Sequence, residues 1–211
     1  MSLKISIPEV RMTDNYTKIT QDNLNKLYGN LPEDLAKNLP GEQDGERFVF
    51  NAFGEKCLIE PGGITLGDEE RSSVFGILIS LYALSVCPDI CVPTPLKAFK
   101  EFPDSTPYVG AFTTHTEQLL VPHVSKIKKA VQTITETLKG EESPAGTGGD
   151  FSFIVYPLPK IALCYIFYEA DDDFPASVTC LYSNNARIFL PVDGLADVGE
   201  YCSKKILELT E

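Results

Sequence analysis

Apolar residues recur along this chain with two periods, and the switch between them marks its organisation. From Asn15 to Tyr28 they fall at 16, 19, 24, 27 and 28, a helical spacing that Gly29 ends. "PEDLAKNL" adds a short helix, and "GEQDGE" then breaks the chain. "RFVFNAF" and "EKCLIE" alternate apolar and polar positions around Gly54, which predicts a hairpin. Asp68 is a good helix N-cap, with Glu69 and Glu70 favourable at the positive end of the dipole, so a helix is expected from there. From Val74 it is apolar on every side, which predicts a central place in the core. "CPDICVPTPL" ends it, because proline cannot continue a helix. Residues 107–138 read as mostly helical with a break at Pro122, and "GEESPAGTGGD" reads as a flexible connector.

The last third carries the clearest pattern. "FSFIVY" and "IALCYIFY" flank the turn "PLPK" and should pair as antiparallel strands. Both are apolar on both faces, which places them inside a sheet covered on each side. "SVTCLY" predicts a third strand, and "ARIFL" a fourth after the turn "SNNA". "DGLADVGEYCSKKILEL" closes the chain as an amphipathic helix with Asp193 as its N-cap. Helices before, between and after hairpin-linked strands argue for an α+β fold with a mainly antiparallel sheet and one central apolar helix. Residues 1–211 are expected to form one domain, with an N-terminal helical segment at 1–40 and the sheet and closing helix at 150–209.

Charge narrows the range of partners. The formal net charge is −12. It divides evenly, with 10 basic against 16 acidic side chains in residues 1–105 and 8 against 14 in 106–211. A uniformly acidic surface repels phosphate backbones and anionic lipid, so neither nucleic acid nor membrane is expected as a partner. The opening stretch lacks the apolar run of a secretory signal, and the run 74–87 is short for a bilayer span; the expectation is a cytoplasmic protein. The six cysteines (57, 87, 91, 164, 180 and 202) are accordingly read as reduced.

The densest charge lies in "YEADDDFPAS", residues 168–177. If the strand from Ile161 persisted, Glu169, Asp171 and Asp173 would share one face and could hold a divalent cation such as calcium or magnesium. Like charges stacked without a cation should instead end the strand near Tyr168, leaving a solvated turn with Phe174 turned inward. The turn is the preferred reading. Cys87 and Cys91 with His115 and His123 are four soft ligands, but their spacing matches no zinc site, and no local motif marks a Cys/His nucleophile pair. "AGTGGD" leads into a strand and lacks the Lys-Ser/Thr of a phosphate loop. Tyr156, Tyr165, Phe167 and Tyr168 could line a pocket for a planar ligand, and of these Tyr165 and Tyr168 are the candidate binding pair; core packing is the default for such strand aromatics.

Several of these features also occur together in a known family. Gly149-Asp150 opens the first of the paired strands, Pro157-x-Pro159 forms the turn, Asp171 to Asp173 precede Phe174-Pro175, and Leu190-Pro191 precedes the closing helix. Over about 55 residues this set resembles the prokaryotic domain-of-unknown-function family 3786. Tyr168 stands where relatives often carry Trp, and Val192-Asp193 replaces a more usual Thr-Glu. The resemblance implies a setting in anaerobic metabolism and supplies no catalytic residues. Some relatives carry iron–sulfur-like segments, but no C-x2-C-x2-C run is present here, so no cluster is expected. The leading expectation is a domain that binds a small ligand or a partner protein, with the enzyme question left open and the balance against one. The alternatives are a metal-dependent enzyme using Glu169, Asp171 and Asp173, and a structural or assembly subunit.

Overall fold

The computed structural model of the chain describes residues 9–70 and 74–211. Residues 1–8, read above for a secretory signal, and 71–73, within the expected entry to the apolar helix, lie outside the described residues. Helix α1 (Glu9–Gly29) and the short α2 (Leu35–Asn38) lead into a first sheet of five strands. These are β1 (Glu42–Asp44), β2 (Arg47–Ala52), β3 (Glu55–Glu60), β4 (Gly63–Leu66) and β5 (Glu69–Glu70), each antiparallel to the next in chain order. Helix α3 (Val74–Ser85) follows. A second sheet has the order β6-β10-β9-β8-β7 and is also antiparallel throughout, from β6 (Lys97–Ala98), β7 (Glu141–Glu142), β8 (Phe151–Leu158), β9 (Ile161–Tyr168) and β10 (Ser177–Tyr182). Between β6 and β7 run α4 (Val109–Phe112), a π-helical turn (Thr113–Gln118), a 3-10 turn (Val121–His123) and α5 (Val124–Thr137). The chain ends in α6 (Ala186–Phe189) and α7 (Val192–Glu208). The fold is α+β.

Burial explains the strand patterns. In β2, Phe48, Phe50 and Ala52 are buried and the residues between them are not, the alternation of a sheet with one covered face. All of β9 from Ile161 to Phe167 is buried. Its Leu163, Tyr165 and Phe167 join the main core, while Ala162, Cys164 and Ile166 meet Cys91, Leu96 and Leu181 on the opposite face. The expected two-sided cover is therefore present. One cluster of buried apolar residues runs through both sheets and includes Phe75, Leu78, Ile79 and Tyr82 of α3. The Phe53 N–H, at the tip of the β2–β3 hairpin, donates to the Pro157 carbonyl at 2.6 Å and fastens one sheet to the other. The turn residues Phe53 and Gly54 have φ of 51° and 80°. Both values lie in the left-handed region that two-residue hairpin turns require.

Local readings changed for several reasons. No helix starts at Asp68: Glu69 and Glu70 pair with Leu66 and Thr65 around Gly67, so strand pairing overrides the capping signal. Asp193 lies inside α7, and Pro191 occupies the N-cap position, its carbonyl accepting the Leu195 N–H at 2.9 Å. "ARIFL" is the short helix α6 where a strand was expected, and the connector after α5 contains β7, which pairs with β8 at Phe153 and Ile154. Phe174 is 71% exposed rather than turned inward. The Asp171 side chain accepts the N–H groups of Asp173 and Phe174 at 2.9 and 2.7 Å, a tight turn that closes before Phe174 can reach the core. All six cysteines are free.

Candidate functional site

The residues marked from sequence fall in different environments. Strand β9 ends at Tyr168, so Glu169, Asp171 and Asp173 lie beyond it. Glu169 pairs with Lys128, and its N–H donates to the Asp150 carboxylate at 2.6 Å. Asp171 holds the turn just described, and those two N–H groups keep its carboxyl below the ordinary value. Asp173 is exposed. Tyr168 is 44% exposed, whereas Tyr165 is fully buried with its hydroxyl 3.0 Å from Ser203 Oγ. Three residues apart on β9, the two side chains point to opposite faces of the strand. Among the described residues, no group of three or more His, Cys, Asp or Glu is placed to hold a metal ion.

The structure instead draws attention to the π-helical turn. A π turn adds a residue to a helix at some cost, and such turns are frequently found at functional sites. Here the extra residue brings Thr116 against α7 at Gly199. A Cβ on Gly199 would lie 2.7 Å from Phe112 Cε2, 2.8 Å from Thr116 Oγ1 and 2.9 Å from Tyr182 Oη, so only glycine permits this approach. Ser203 Oγ, also on α7, donates to the Thr116 carbonyl at 2.8 Å and satisfies an acceptor that the irregular turn exposes. The Tyr165 hydroxyl lies behind it against Ser203. Thr116 itself is fully buried, and its hydroxyl has no hydrogen-bond partner among the described residues. Partnerless buried hydroxyls are rare, and each calls for an explanation.

Thr116 forms part of the wall of a cavity of about 140 Å³ between the π turn and α7. Tyr108 and His115 line it from one side, and Asp193, Asp197 and Glu200 from the other. The spacing of these three acids, i, i+4 and i+7, puts them on one face of the helix. Glu200 is paired with Lys204 at 2.6 Å. Asp193 and Asp197 pair with no cation among the described residues. Burial, and then the neighbouring Glu200 and Asp193, push the Asp197 carboxyl up to about 6. Among the described residues only Glu200 of the three acids has a cationic partner, so the cavity is an anionic recess beside the rings of Tyr108 and His115.

On the other side of the π turn, Glu117 accepts the Cys180 N–H at 3.0 Å. Strand β6 covers β10 only at Leu181 and Tyr182, so this carboxylate stands in for a strand at the next position of the sheet edge. Burial raises its carboxyl, and the Cys180 N–H partly offsets that. Sequence reading passed over both sides of this turn. "TTHTEQ" has ordinary helical composition, and the clustering of 193, 197 and 200 was visible only as the polar side of an amphipathic helix.

A family model described as Domain of unknown function (DUF3786) matches residues 31–205. The chain belongs to this family. No curated protein and no solved structure matches it. The matched region of the DUF3786 domain includes β1 to β10, the π turn and the whole acidic face of α7. The motif residues that carried the resemblance lie at element ends. Asp150 caps the end of β9, Pro157 receives the hairpin tip, and Pro191 starts α7. Among the described residues, no helix is long and apolar enough to cross a membrane.

Proposed function

We propose that this domain binds a small organic cation in the cavity between the π turn and α7. The observation that carries the reading is Asp197, a half-buried carboxylate beside two further acids and without a cationic partner among the described residues. Leaving such a group uncompensated costs stability, and strongly perturbed groups in clefts gather at functional sites. An ammonium ligand would supply the missing charge and lie against the ring of Tyr108 as a cation–π neighbour. A compact metal ion is a poorer match, because the acids are not gathered at ligating geometry. The protein-partner reading draws on Ile90, exposed at 76%, but single exposed apolar side chains are common and break no rule of folding.

Titration of the purified protein with methylammonium and tetramethylammonium chlorides, against sodium chloride at equal ionic strength, tests this. Nuclear magnetic resonance shifts should show saturable binding of at least one organic cation that Asp197→Asn weakens by about tenfold, the loss of one charged contact. Lowering the pH through about 6 should weaken it similarly as Asp197 is protonated. No saturation at millimolar ligand, or equal affinity in Asp197→Asn, would overturn the proposal.

A further inference from the structure

At the opposite end of α7 a second cavity, of about 250 Å³, opens beside the Phe53–Gly54 turn. Its floor is three rings set edge to face. Phe53 and Phe75 have centroids 5.5 Å apart, Phe53 and Tyr201 6.1 Å, and Phe75 and Tyr201 5.6 Å. Leu66 closes one side. Phe53 contributes its ring from a left-handed backbone conformation that bulky residues rarely adopt, held by its N–H bond to Pro157.

The rim carries both signs of charge. Lys205 Nζ lies 2.6 Å from Glu55 Oε1 and 3.3 Å from Glu208 Oε2. Lys204 Nζ lies 2.6 Å from Glu200 Oε1 and 5.8 Å from the Tyr201 ring centre. Among the described residues, two lysines and two glutamates line the cavity, so these four charges cancel. Such a rim does not favour a simple cation or anion, but it suits a ligand with one charge of each sign. The ring floor suits an aromatic body, which apolar contact and ring geometry favour together.

We propose that this second cavity binds a free aromatic amino acid. Its ring rests against Leu66 and the Phe75–Tyr201 pair, its carboxylate meets Lys204, and its ammonium meets Glu208. Lys204 and Glu208 can exchange their present partners at little cost, because both side chains are largely exposed and exposed ion pairs contribute little. The site is separate in place and chemistry from the anionic cavity. The two touch only through the Glu200–Lys204 pair.

The chain contains no Trp, so the indole fluorescence of added L-tryptophan reports on the ligand alone. Its anisotropy should rise saturably when the protein is titrated in. Indole-3-propionate, which lacks the ammonium, and tryptamine, which lacks the carboxylate, should each compete at least about tenfold more weakly, one charged contact being lost in each. Lys204→Met and Glu208→Gln should weaken binding, whereas Asp197→Asn should leave it unchanged. That last arm separates this inference from the cation site. The inference is overturned if anisotropy does not saturate at millimolar concentrations, if either analogue competes as well as tryptophan, or if the Lys204→Met/Glu208→Gln double variant binds equally well.

Discussion

The two ends of α7 face cavities built on opposite electrostatic principles. Around its C-terminal turns every charged side chain has a partner of opposite sign: Lys205 lies between Glu55 and Glu208, and Lys204 is bound to Glu200. Around its N-terminal half Asp193 and Asp197 line a recess and have no cationic partner among the described residues. On the two proposals, the aromatic end would select by shape and by a pair of opposite charges, and the acidic end by net charge. The difference also concerns stability. Paired charges and packed rings support the fold, while an unpaired half-buried carboxylate opposes it.

Removing the ring floor should break the comparison most severely. Phe75 is buried and meets two other rings, so Phe75→Ala should cost about 3–4 kcal/mol in chemical denaturation, the range for large aromatic deletions from a core. A loss below about 1 kcal/mol would mean that the three rings contribute little to the core.

The acidic end should respond in the opposite direction. The Asp197 carboxyl is raised in the folded state, so its stabilising contribution is complete below the unfolded value near 4 and is lost as pH rises through about 6. Asp197→Asn should then match the parent near pH 4 and be more stable at pH 7–8. The raised carboxyl corresponds to roughly 3 kcal/mol before screening, and because the group is only half-buried about 1 kcal/mol is expected. Equal stability of the two proteins at both pH values would remove the case for an uncompensated charge.

The smallest effect belongs to the link between the two ends. Lys204→Met deletes an exposed i, i+4 pair and should change stability by less than about 0.5 kcal/mol. Yet it removes the one cation among the described residues that pairs with the acidic face, so organic-cation binding in the recess should become stronger, by about twofold. Unchanged affinity in thermal or calorimetric titration would show that the two cavities are electrostatically independent.

Much of the fold was legible because it is written in local periodicity. The buried run Ile161–Phe167, the hairpin at Gly54, the apolar helix α3 and the amphipathic α7 all follow from spacing alone. Errors arose where one local signal lost to strand pairing or to another local structure. Asp68 to Glu70 carry a good helix-start signal but complete a sheet edge, and "ARIFL" has strand-like composition but continues the chain as a turn of helix. Phe174 was expected to anchor the turn, and the Asp171 side chain closed that turn without it.

The candidate sites were far less legible, because a site depends on which side chains lack partners. By itself the sequence determined the α+β class, the faces of the strands and the family, since these rest on spacing within short segments and on motif residues at element ends. Only the tertiary structure decided that Glu55 would reach Lys205 from 150 positions away while Asp197 would be left without a cation. It also decided that the π turn would bring Thr116 onto Gly199 with its hydroxyl unpartnered. Charge balance is a property of neighbours in space, and neighbours of that kind have no period along the chain.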